Sequence, residues 1–119
     1  MKKGRLFKGL VLAMALVMLF SMTAFAGSSV SWSTDGGASA HGSCGMFSAS
    51  TSVSSPMYVA ASFTTVYLNQ YAFYRETGDS ASNMGTSVTA STSTPSDYAA
   101  HDSTSASHTA GSTSRETSY

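Results

Sequence analysis

Between residues 46 and 54, small or apolar side chains alternate with serine at every step. Phe47, Ala49, Thr51 and Val53 stand against Ser48, Ser50, Ser52 and Ser54. A period of two predicts a half-buried antiparallel strand with a serine outer face. Upstream, Val30 and Trp32 alternate with Ser29, Ser31 and Ser33, and Asp35-Gly36-Gly37 follows as a turn, since glycine reaches positive φ without steric cost. Residues 57–74 are the apolar heart of the chain. Their odd positions carry Met57, Val59, Ala61, Phe63, Thr65, Tyr67, Tyr71 and Phe73, interrupted by Asn69. Val59, Phe63, Val66, Tyr67, Gln70, Tyr71 and Tyr74 also approximate one helix face. β-Branched and aromatic residues dominate the stretch, however, and strong helix formers are few, which favours strand. Eighteen residues is long for a single strand, so a bulge or break is expected near Asn69-Gln70.

Further along, Glu76-Thr77-Gly78-Asp79 reads as a hairpin turn with Gly78 at positive φ. Residues 80–83 begin the return strand and residues 84–94 continue it, with Val88, Ala90, Thr92 and Thr94 opposite in phase to Ser87, Thr89, Ser91 and Ser93. Pro95-Ser96-Asp97 breaks the run. Residues 103–109 and 113–119 then form a last hairpin around Ala110-Gly111-Ser112. Strand-like runs at such short spacing predict an all-β fold, a small antiparallel β-sandwich or barrel.

The N-terminus carries a different pattern. Lys2, Lys3, Arg5 and Lys8 precede an apolar run that begins at Gly9, and Ala24-Phe25-Ala26 ends it ahead of Gly27. This is the layout of a cleavable secretory signal peptide, residues 1–26, with a helical apolar region and a cleavage site defined by Ala24, Ala26 and Gly27. The expected product is one small Ser/Thr-rich β domain, residues 27–119, with 27–45 as a flexible lead-in. Its expected location is secreted, or extracellular.

Removing the leader changes the composition that has to be explained. Only Arg75 and Arg115 remain as bases, against Asp35, Glu76, Asp79, Asp97, Asp102 and Glu116, a formal charge of −4 with no lysine. Nucleic acid is excluded as an expected partner, because phosphate neutralisation needs a cationic surface. No membrane span is expected after cleavage. The 93 residues include 24 serines and 13 threonines, one leucine and no isoleucine. Small side chains must therefore fill much of the interior, and they bury little area each. Ten aromatic residues remain, and they are expected to lie mostly inside for want of other large side chains.

Candidate chemistry is sparse. His41, His101 and His108 are the residues with general-base character. His101-Asp102 lies among so many serines that a Ser-His-Asp triad can be drawn on paper, but no G-x-S-x-G elbow supports one. His41 and Cys44 have a spacing that can chelate, yet a zinc site would require them to converge with His101 and His108. No acidic loop with calcium spacing is present. The expectation is no enzyme, no cofactor and no metal. Cys44 has no second cysteine in the chain, leaving a small semi-buried residue or an intermolecular disulfide. Tyr58, Tyr67, Tyr71 and Tyr74 could stack on sugar rings if they were exposed.

Ser29-Val30-Ser31-Trp32 and Ser105-Ala106-Ser107-His108-Thr109-Ala110-Gly111, behind a Lys-rich leader, resemble the lactococcin 972-type bacteriocins among small secreted Gram-positive proteins. That resemblance implies an antiparallel β-sandwich acting on cell-wall synthesis through a lipid-linked precursor, and it transfers no functional residue. The leading expectation is a secreted non-enzymatic β protein that binds a cell-wall or envelope component, or self-assembles, at the bacterial surface. The alternatives are a bacteriocin-like toxin against a competitor's envelope and a disordered or glycosylated surface spacer.

Overall fold

A computed structural model describes residues 28–119. The leader 1–26 and the cleavage position at Ala24, Ala26 and Gly27 lie outside the described residues. The described chain is all-β: β1 (Ser29–Ser33), β2 (Ser39–Gly45), β3 (Ser48–Asn69), β4 (Tyr74–Ser91), β5 (Tyr98–Ala110) and β6 (Thr113–Ser118). Every pairing is antiparallel, in the order β1-β2-β3-β5-β6, with β4 along the other side of β3. The lead-in 27–45 contains β1 and β2, joined through a turn in which Gly37 has φ 86° and donates to Thr34 O at 2.9 Å.

The two strands expected at 46–54 and 57–74 are one strand with a bend. Register is lost between Ser52 and Met57, where four residues of β3 stand against Thr86 of β4. Ser54, Ser55 and Pro56 are exposed at this point, and proline has no N–H to give a ladder. Below the bend β3 pairs with β2, and above it with β5; β4 follows both parts. The sheet thus folds back on itself into a nearly closed, barrel-like shape. Its first and last strands meet through side chains: Trp32 Nε1 donates to Thr113 Oγ1 at 2.9 Å, and the Arg115 guanidinium lies 5.8 Å from the Trp32 ring.

Alternation delivers the core as the sequence predicts. Ala49, Thr51, Val53, Val59, Ala61, Phe63, Thr65 and Tyr67 of β3 all face inward. They pack in two clusters, Phe63 with Cys44, Ala49, Ala61, Ala90 and Ala106, and Trp32 with Ala40, Val53, Val59 and Ala110. Fully buried threonines complete the interior.

Two expectations are corrected. Glu76-Thr77-Gly78-Asp79 is not a turn but the interior of β4, paired with Val66, Thr65, Thr64 and Phe63. Gly78 is there for proximity: a Cβ on it would lie 2.3 Å from Phe63 O. The turn comes earlier, after Asn69, at the break expected near Asn69-Gln70. The aromatic residues are also not mostly interior, since Tyr58, Tyr71, Phe73, Tyr74 and Tyr119 are exposed.

Candidate functional site

The three histidines occupy three unrelated environments. His108 is the largest fully buried side chain among the described residues. It projects from β5 across the interior to β2, where a methyl group on Gly42 would sit 2.4 Å from its ring. Thr51 Oγ1 gives its only proton to Ala60 O at 2.8 Å, so at its 3.1 Å contact with His108 Nδ1 it must accept. The proton is thereby assigned to Nδ1, and Nε2 accepts from Thr117 Oγ1 at 2.7 Å. Burial, with a smaller push from the charge of His41, lowers the pKa of His108 to about 4, against a raising hydrogen bond to the Ser50 backbone. The imidazole is a neutral strut joining β2, β3, β5 and β6.

His101 and Asp102 do not form a dyad. Val66 pairs with Ser103 and Tyr67 with His101, which leaves Asp102 as the extra residue of a bulge. Asp102 accepts from Ser103 Oγ at 3.3 Å, while His101 Nε2 lies 2.8 Å from Thr104 Oγ1 and its ring 5.4 Å from that of Tyr119. His41 is exposed beside Ser31 Oγ at 3.0 Å, but Cys44 is buried on the other face of the same strand. Strand alternation therefore separates the two potential ligands. Among the described residues no three His, Cys, Asp or Glu side chains come together as a metal site. Burial raises the Cys44 pKa, opposed by a hydrogen bond with Thr117.

The β3–β4 turn presents a different kind of site. Asn69, 2% exposed, closes β3. Its Oδ1 accepts from the backbone N–H groups of Tyr71 and Phe73, both at 2.9 Å, and its own N–H donates to Phe73 O at 2.9 Å. Ala72 takes φ 64° within this loop. Asp97, from the β4–β5 connection, fixes the loop from below: it accepts from Tyr67 OH at 2.9 Å and Asn69 Nδ2 at 3.4 Å, and its carbonyl accepts from Gln70 N–H at 2.8 Å. Tyr98 packs in the same place, 5.5 Å from the Phe47 ring and 6.1 Å from that of Tyr67. Above this anchored base stand Tyr71, Phe73 and Tyr74, 72%, 58% and 50% exposed.

Three large rings left in water on a well-bonded turn contribute little to folding, whereas burying them against a partner is favourable. Their faces suit a sugar ring or an apolar surface, and the two phenol hydroxyls add hydrogen-bonding groups. Of the four tyrosines that the sequence offers, Tyr67 is interior, Tyr58 is exposed beside the bend in the middle of the β3–β4 ladder, and Tyr71 and Tyr74 belong to this tip. Phe73 was not among them. The usable signal was loss of alternation: adjacent Phe73 and Tyr74 cannot both face one core, and Asn69 ahead of them supplies turn chemistry. No protein-family model, curated protein or solved structure matches this chain.

Proposed function

We propose that the chain is exported and acts, without catalysis, as a binding protein at a bacterial cell surface, with Tyr71, Phe73 and Tyr74 as its contact element. The observation that carries this reading is the exposure of those three rings on a turn held by Asn69 and Asp97. Leader-like residues 1–26 support export, and the acidic, lysine-free remainder favours an uncharged ligand over a polyanion. A glycan of the wall offers the flat apolar ring faces that such side chains stack against.

The test is cosedimentation of residues 27–119 with purified Gram-positive cell-wall sacculi. The expected result is saturable binding that falls at least about tenfold when Tyr71, Phe73 and Tyr74 are changed together to serine, with the far-UV circular dichroism unchanged. Equal binding by the triple variant would remove the tip from the reading. The toxin alternative draws on the segments at Ser29–Trp32 and Ser105–Gly111 and predicts that the same preparation inhibits growth of related strains. Binding without inhibition separates the two.

A further inference from the structure

Among the described residues three strands border the sheet. β1 and β6 are short and lie against one another through Trp32, Thr113 and Arg115. β4 is 18 residues long, is largely exposed, and pairs with β3 alone among the described residues. Soluble proteins usually blunt such an edge with proline, lysine or alternating charges. From Ser80 to Ser91 this one has no proline and no charged residue. Its charges are confined to Arg75, Glu76 and Asp79.

Those charges are arranged to match themselves. In an antiparallel strand pair related by a two-fold axis at Thr77, residue 75 of each copy stands opposite residue 79 of the other. Arg75 then meets the partner's Asp79 twice over, and Glu76 faces the partner's Gly78. Moving the centre to Gly78 sets Arg75 opposite Ala81 and loses both charge pairs; moving it to Glu76 sets two glutamates opposite each other. Opposite charges at facing positions stabilise a strand pair and like charges oppose it. The loss of register beside Gly85 and Ser87 bends β4, so the straight portion available for pairing is the one that holds the charges.

We propose that β4 is a self-recognition edge: two copies of this chain pair antiparallel through residues 74–80, centred on Thr77. Each copy has one such edge, so the two-fold pair consumes both and stops at a dimer rather than growing into a fibre. In the resulting pair each Tyr74 stands opposite the partner's Ser80, so the two Tyr71–Tyr74 tips flank the seam and point in opposite directions. The pairing does not depend on what the tips bind.

Sedimentation velocity of residues 27–119 over a concentration series tests it, with circular dichroism confirming the fold of each variant. The expected result is a monomer–dimer equilibrium that weakens with salt. Arg75→Glu raises the dissociation constant about tenfold or more, and Asp79→Arg does the same. An equimolar mixture of the two variants regains the dimer, because every facing pair is then of opposite sign. Asp79 Oδ2 also accepts from Ser91 N–H at 3.2 Å, so Asp79→Arg could unfold the chain. Thr77→Cys in a Cys44→Ala background covers that case: it forms a disulfide-linked dimer on mild oxidation, whereas Thr89→Cys in the same background does not. A monomer at all concentrations overturns the proposal. So does a dimer indifferent to Arg75→Glu, or equal cross-linking at positions 77 and 89. Persistence of the dimer in a Tyr71→Ser, Phe73→Ser double variant, which leaves residues 74–80 unchanged, keeps this result separate from the wall-binding test.

Discussion

His108 is held neutral by an interior that offers it two hydroxyls, the Ser50 backbone and no counter-charge, and this sets an acid limit on the fold. In the unfolded chain the imidazole takes up a proton near pH 6.5, but in the folded chain only near pH 4. The unfolded state binds more protons between those values, so stability is complete above about pH 6.5 and falls as pH drops towards 4. The depression amounts to about 3 kcal/mol in all, a large share of what a domain this size possesses. Urea midpoints at about pH 7 and about pH 4.5 should show this loss, and His108→Gln should abolish that part of it. Burial raises the Glu116 carboxyl pKa and so acts in the opposite sense, which is why the contribution of His108 is read as the difference between the two proteins. At Cys44, burial and a raised pKa leave little thiolate to react. A thiol reagent at neutral pH should label it only after denaturant is added; labelling at the rate of a free thiol in buffer would contradict the interior placement.

At the scale of the element, Gly78 separates two readings of the same four residues. In a turn at positive φ an added methyl would strain the backbone of residue 78 itself. In β4 the φ is not positive, and the methyl would overlap Phe63 O of the neighbouring strand instead. Gly78→Ala is therefore expected to destabilise the protein by roughly 2–3 kcal/mol, measured by chemical denaturation; a change within about 0.5 kcal/mol would contradict the close approach to Phe63. The case also shows why some of the fold was legible and some was not. Period-two patterning places Ala49, Thr51, Val53, Val59, Ala61 and Phe63 on one buried face, and Asp35-Gly36-Gly37 and Ala110-Gly111-Ser112 are turns as expected. Alternation cannot say how far a strand continues. Glu76-Thr77-Gly78-Asp79 has the composition of a turn, and only the neighbouring backbone of Phe63 reveals the glycine's real purpose. The Asn69 turn was harder to read because Ala72, rather than glycine, occupies its left-handed position. The scarcity of other large side chains argues for placing most aromatic residues inside, yet Tyr71 and Tyr74 are exposed. What keeps them out is their place: Tyr71 lies in the Asn69 turn, and Tyr74 pairs with Leu68, which is on the outward-facing positions of β3.

Over the whole molecule, that filling implies modest stability. Six buried alanines and a set of buried threonines replace the branched aliphatic residues of an ordinary core, and each removes little apolar area from water. Hydroxyl hydrogen bonds, such as Thr104 Oγ1 to Met46 O at 3.0 Å, satisfy buried polar groups but add little net free energy. Residues 27–119 should give a β-type circular dichroism spectrum and one cooperative melt, with a midpoint at the lower end of the roughly 45–65 °C usual for mesophilic domains. A random-coil spectrum with no transition would sink the folded-domain reading.

The side-chain seam between β1 and β6 has a mechanical consequence. No backbone ladder joins these strands among the described residues, and β1 is tied to the rest by its short pairing with β2 and by the Trp32–Thr113 bond. A tension applied at the N-terminal side reaches the Ser29–Ser43 end of that pairing first, where its bonds break one after another instead of together. The barrel therefore unzips from its N-terminal strand, while the long β3 spine and its flanking ladders are loaded last.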